Sequence, residues 1–95
     1  HVNLGRLMQE SNQPELAEEH YVQALTLAPD HPFASFNLGT LLEDMGRFED
    51  AIIAYKHAGA FADAHYNLSR LYEVMGEHLL ALSHLKTYKA LSDSQ

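Results

Sequence analysis

SFNLGTLLEDMGRFEDAIIAY, residues 35–55, decides the fold. Its first half holds Asn37-Leu38-Gly39, and its second holds Ala51 with Tyr55 four places later. The same elements occur at Asn3-Leu4-Gly5 with Ala17 and Tyr21, and at Asn67-Leu68-Ser69 with Ala81 and Leu85. The asparagines stand at 3, 37 and 67, so the spacings are 34 and 30 residues. A period of that size marks a helical repeat array, in which each unit buries its apolar face only against its neighbours. The expected fold is all-α: a superhelical solenoid of three helix-turn-helix repeats, six antiparallel helices in all.

Apolar residues recur at helical spacing almost throughout, and no segment alternates with period two. Helices are predicted at about 1–10, 14–27, 33–45, 48–58, 62–75 and 78–91, two per repeat. The repeats then cover about 1–32, 33–61 and 62–91 of a single domain, with 92–95 as a polar tail. Pro14 suits a first helical turn, where its missing N–H would be an orphan anyway. Ala28-Pro29-Asp30-His31-Pro32 separates the first two repeats. Gly46 and Gly76 follow Met45 and Met75, where a helix C-terminus needs tolerance of positive φ; Asn12 holds that place in the first repeat. The link from Ala58 through Gly59-Ala60-Phe61 to Ala62 is four residues short of the 34-residue period. Either it is a tight turn, or a flexible piece is missing from it.

Ninety-five residues give one domain with a modest core. No apolar run approaches the roughly 18 residues of a membrane span. Neither a membrane segment nor a signal peptide is read, and the chain, starting at His1, is expected to be part of a longer protein. Without cysteine there are no disulfides, thiolate chemistry or sulfur-ligated zinc, which fits a cytoplasmic setting. The net charge of −7 is uneven: residues 1–50 carry nine acids against Arg6 and Arg47. Such a surface lacks the basic footprint of a nucleic-acid binder and favours basic or neutral partners.

The pattern resembles the tetratricopeptide repeat, whose signature runs W-x-x-L-G-x-x-Y, then A-x-x-x-F, then P. The copies here read His1-x-x-Leu4-Gly5-x-x-Met8 with Ala17, Tyr21 and Pro29; Ser35-x-x-Leu38-Gly39-x-x-Leu42 with Ala51 and Tyr55; and His65-x-x-Leu68-Ser69-x-x-Tyr72 with Ala81 and Leu85. Tryptophan is absent throughout, Ser69 replaces a glycine, and only the first copy keeps the proline. Small residues (Gly5, Gly39, Ser69, and Ala17, Ala51, Ala81) let paired helices approach, and Leu7, Leu41, Leu71, Tyr21 and Tyr55 fill the space beside the contact. His65 is expected to pack in the slot of the missing tryptophan.

The resemblance implies a protein-binding role on a concave face lined by the first helix of each repeat. It assigns Asn3, Asn37 and Asn67 to the backbone of an extended peptide, because a carboxamide both donates and accepts. Further along the same face come Arg6, Thr40, Glu43, Asp44, Arg70 and Glu73. Arg6, Arg70, Glu43 and Glu73 are expected to select the sign of the ligand. Phe33 is expected in the core, and Phe36 and Tyr66 as exposed anchors for an apolar ligand side chain. The family's clamp for acidic chaperone tails needs basic groove residues, but Val2, Phe36 and Tyr66 stand in those places, so that ligand class is disfavoured. The last helix, with Leu79, Leu82, Leu85 and Tyr88, is expected to be uncapped and to offer a face for another repeat, domain or copy of the chain.

Rival functions have less behind them. A narrower resemblance, through Asn37-Leu38-Gly39 with Leu42-Glu43-Asp44, then Ala64-His65-Tyr66-Asn67-Leu68 and Ala81-x-x-His84-Leu85-x-x-Tyr88, is to repeat modules that follow MerR-type DNA-binding domains in bacterial regulators. It implies an oligomerisation or sensing arm, with DNA contact outside this chain. Seven histidines raise a metal-binding alternative through His20, His57 and His84, although no two histidines are three or four apart on one helix. No cofactor is implied. Adjacent acids such as Glu18-Glu19 and Glu49-Asp50 point about 100° apart on a helix and read as solvated faces. With no nucleophile elbow or phosphate loop, no catalysis is assigned.

Overall fold

The chain is described by a computed structural model covering residues 6, 13–28 and 31–93. Five helices lie in these residues: α1 (Pro14–Leu27), α2 (Pro32–Asp44), α3 (Phe48–His57), α4 (Ala62–Val74) and α5 (His78–Asp93), with no strand among them. The helix expected at about 1–10 lies outside the described residues, apart from the exposed Arg6. One end differs from expectation. Ser92 and Asp93 belong to α5 rather than to a tail, because Ala90-Leu91-Ser92 contains no glycine or proline to stop the helix.

Local chemistry sets the boundaries. Pro14 and Pro32 occupy first-turn positions. The imidazole Nδ1 of His31 caps α2 by accepting from the Ala34 N–H at 3.2 Å. Two helix ends share one closing motif. Gly46 and Gly76 adopt φ of 78° and 81°, and the following residues bond back across them, Arg47 N–H to Leu42 O at 2.9 Å and Glu77 N–H to Tyr72 O at 2.8 Å. The short link, as the sequence gives it, folds as a tight turn. Gly59 sits at φ 64°, and hydrogen bonds from the Gly59 N–H to Lys56 O and from the Phe61 N–H to Ala58 O close it.

The helices pack successively, α1 on α2, α2 on α3, α3 on α4, and α4 on α5. Ala17, Tyr21 and Leu41 form one buried cluster; Leu42, Ala51, Tyr55, Ala64, Leu68, Leu71, Tyr72 and Ala81 lead the other. Each large side chain sealed in this way contributes about 1.5–3 kcal/mol. The small residues lie at the helix crossings. A Cβ on Gly39 would meet the Tyr55 ring at 2.5 Å, and the Ser69 hydroxyl donates to the Ala81 carbonyl at 2.7 Å. On the surface, Arg47 joins both oxygens of Glu18 on α1, each at 3.0 Å, to Asp50 on α3. Two acids read as merely solvated thus share one guanidinium.

Candidate functional site

In α2 and α4 the residues at 36, 37, 40 and 43 correspond to those at 66, 67, 70 and 73, thirty places on. Helical spacing puts each set on one stripe. Behind the stripe stands Tyr55 of α3, whose ring is sealed in the core. Its hydroxyl donates to Glu43 Oε1 at 2.9 Å and faces the Asn67 amide nitrogen at 3.4 Å. Glu43 in turn binds Arg70, 2.6 Å from Oε2. A chain of polar contacts, Asn67–Tyr55–Glu43–Arg70, therefore ties α4 to α3 and α2. Burial first, then the hydrogen bond to Glu43, raises the Tyr55 phenol far above its ordinary pKa, so it serves as a neutral donor.

This arrangement changes the expected roles. Glu43 and Arg70 were expected to face a ligand separately; instead each is the other's partner, and Glu43 is the more enclosed of the two. Glu73 is exposed and pairs with His78 at 2.9 Å. Thr40 is partly buried and spends its hydroxyl on the Asn37 carbonyl at 2.8 Å. The Asn37 carboxamide is half-buried and makes no hydrogen bond among the described residues. Asp44 is exposed, Arg6 likewise, and Asn3 lies outside the described residues.

The aromatic expectations are partly reversed. Phe33, assigned to the core, is 56% exposed, whereas Phe36, assigned to a ligand, packs on the core with its centroid 5.1 Å from Phe61 and 5.8 Å from Tyr55. The cause is the tight turn at Gly59, which draws Phe61 against both residues and leaves the Phe33 edge outside. Tyr66 is 49% exposed and lies against Tyr88 of α5, centroids 5.3 Å apart. Tyr66, Arg70 and Glu73 join Ser69, Val74 and Leu85 around a cleft of about 390 Å³.

The last helix is also less bare than expected. Leu85 and Tyr88 turn toward α4 and are half-buried, while Leu79, Leu80 and Leu82 stay exposed. Beyond that first turn the exposed residues include Ser83, Lys86 and Lys89. Among the described residues no three metal-ligating side chains converge, so His20, His57 and His84 do not form a cage. His84 instead meets His65, Nδ1 to Nδ1 at 3.0 Å. His65 Nε2 lies 2.8 Å from the Gly59 carbonyl, which only accepts, so that nitrogen carries a proton. His84 stacks on Tyr72, and its pKa is lowered, first by burial, then by His65 and Lys56.

Residues 1–64 match the family model described as tetratricopeptide repeat. The chain belongs to the tetratricopeptide repeat family. It is 36% identical over 80 residues to the human protein O-mannosyl-transferase TMTC1, which covers 80% of this chain and 9% of that protein. A crystal structure of MamA superposes with a TM-score of 0.93 at 22% identity, covering 98% of this chain and 57% of the MamA chain. The Yersinia enterocolitica type III secretion translocator chaperone SycD superposes at 0.86 with 19% identity, over 95% of this chain and 65% of its own. At such identities the two structures share the fold. The chain thus spans a small part of TMTC1 and little more than half of MamA, and the transferase named in TMTC1 is a property of that much longer protein. Family and fold together support a protein–protein interaction module. Among the described residues no helix is long and apolar enough to cross a membrane.

Two further contacts escaped sequence reading. The Tyr55 hydroxyl had a signal, because tyrosine stands where the family signature has phenylalanine, and a buried phenol needs a polar partner. The His65–His84 pair had none, since nothing in residues nineteen apart announces that two helices will bring them together.

Proposed function

We propose that the chain binds an extended segment of a protein partner along the α2–α4 stripe, which forms the concave face of the array. The observation carrying this is the pair Asn37 and Asn67: equivalent positions on successive first helices, both half-buried, with the Asn37 amide making no hydrogen bond among the described residues and the Asn67 amide steadied by Tyr55. Two carboxamides one repeat apart can each exchange hydrogen bonds with a peptide backbone without reading its side chains. Tyr66 supplies an aromatic surface beside them, and Arg70, Glu73 and Asp44 set the polarity at the edge. Arg70 is half-committed to Glu43, so charge selection is mild. The module contributes binding and no catalysis. The partner is protein and not nucleic acid, in keeping with the acidic composition.

The test is selection of random twelve-residue peptides against the wild-type chain, followed by titration of the winners into an Asn37→Ala, Asn67→Ala variant. Loss of both amides should weaken binding by about tenfold or more, taking about 1 kcal/mol per net hydrogen bond. Unchanged affinity for every selected peptide would remove the amide ladder from the explanation.

A further inference from the structure

A second cleft of about 390 Å³ opens on a different side of α2, away from the Asn37 stripe. Leu25 of α1, Leu38 and Leu42 of α2, and Ile53 and Ala54 of α3 line it, with Asp50 and His57 also on its wall. Its lining includes Ser35, which is 0% exposed. Among the described residues the Ser35 hydroxyl has no hydrogen-bond partner, although a serine in a helix can ordinarily bond back to the preceding turn. A buried hydroxyl left unmade is costly, and few native ones are found. An apolar cleft of this volume with one convergent polar group has the form of a small-ligand site.

The third repeat shows what shape belongs there. Positions 35, 42 and 54 correspond, thirty places on, to 65, 72 and 84. In the third repeat those positions hold His65, Tyr72 and His84, three rings packed nearly parallel, with interplanar angles of 23° and 15°. His65 also reaches the Gly59 carbonyl, and Gly59 corresponds to Leu25 thirty-four places earlier. The second repeat substitutes serine for one ring, leucine for another and alanine for the third. The rings are gone, and the cleft lies among the corresponding side chains. Asp50 is already paired with Arg47 at 3.1 Å, and His57 is the other ionisable side chain on the wall among the described residues.

We propose that this cleft is a binding site for a small, uncharged, planar aromatic molecule of one or two rings, bearing one N–H or O–H that meets Ser35 Oγ. The ring takes the place that His65 and His84 fill in the next repeat, lying between Leu42 and Ala54. The polar group satisfies the stranded hydroxyl. An uncharged ligand is favoured because a charge would lose its hydration among leucines, where Asp50 is already held by Arg47.

Indole and toluene are the probes, titrated into the whole chain and followed by the NMR methyl signals of Leu38, Leu42, Ile53 and Ala54. Indole should bind saturably and shift these signals. Ser35→Ala should weaken indole about tenfold, the worth of one buried hydrogen bond, and leave toluene unchanged. Ser35→Trp should fill the cleft with its own ring and abolish binding of both; if that variant does not fold, Ala54→Met serves the same purpose from α3. Asn37→Ala with Asn67→Ala should leave indole binding as it was, which keeps this site separate from the peptide face. No saturable binding of indole, or equal binding by the filled variant, would overturn the proposal. So would binding seen only with a tryptophan-containing peptide, which would make the cleft an anchor for a partner's side chain.

Discussion

Replacing Gly39 by alanine places a methyl group where the chain has no room for it. The added Cβ would stand 2.5 Å from both Cδ1 and Cε1 of Tyr55 and 3.0 Å from Cγ. Carbons rest about 3.5–4.0 Å apart, so ring or helix must retreat by about 1 Å. The ring is not free to do so. Tyr55 is fully buried, its hydroxyl is held by Glu43, and Phe36 packs at its side. Overpacking of this kind costs about 1–3 kcal/mol. Against it stands the gain of about 0.5–1 kcal/mol for alanine over glycine inside a helix. The net loss should be about 0.5–2 kcal/mol, and each kcal/mol lowers Tm by about 4–8 °C in a domain of this size. The third repeat supplies the control, because Ser69 and Leu85 occupy the equivalent positions and a Cβ is tolerated there. In a Tyr55→Leu background, Gly39→Ala should therefore be neutral or stabilising by about 0.5–1 kcal/mol. Urea unfolding followed by circular dichroism on the four chains of this cycle measures the coupling. If Gly39→Ala melts with the wild type, or costs the same in both backgrounds, the helix crossing is not held by this contact.

Other perturbations test other parts of the chain. Gly76→Ala meets no atom within 4 Å but must adopt φ of 81°, so it should lose about 1–2 kcal/mol in the same unfolding assay, with Gly76→Asn losing less. The lowered pKa of His84 means that the unfolded chain binds its proton more readily. The associated stability is therefore complete above about pH 6.5 and declines as pH falls through the folded pKa. Unfolding curves measured between pH 7.5 and 5 should show that decline, and His84→Gln should flatten it. Tyr55 has the opposite sign. Its raised pKa adds stability that is complete below about pH 10 and lost as pH climbs further, and Tyr55→Phe should reduce that alkaline loss. Leu79, 85% exposed, stands with Leu80 and Leu82 on the outside of the first turn of α5. If copies of the chain associate through it, Leu79→Ser with Leu82→Ser should lower the mass seen by light scattering at high concentration, and an identical mass for both chains would remove that surface from consideration.

The sequence by itself determined the five described helices, their turns and the family. Those depend on signals within one turn or one repeat of the chain: apolar spacing, Gly46 and Gly76 after their helices, Pro14 at the start of one, and small residues returning in phase. It also marked the stripe of Asn37 and Asn67, because a repeat brings equivalent positions to equivalent places. Tertiary structure alone decided which side chains spend their chemistry on one another. Glu43 and Arg70 are 27 residues apart and His65 and His84 are 19 apart, and no local pattern encodes the rotation at which their helices meet. Phe61, next to the turn at Gly59, packs against both Phe33 and Phe36, and that tertiary placement reversed the roles expected of the two. Departures from the repeat signature at Ser35 and Leu42 were visible in the letters, as was Ala54 at a position the signature leaves open. That they gather around one cleft with a stranded hydroxyl became visible only when three helices were placed side by side, because a cavity belongs to the space between elements and to none of them singly.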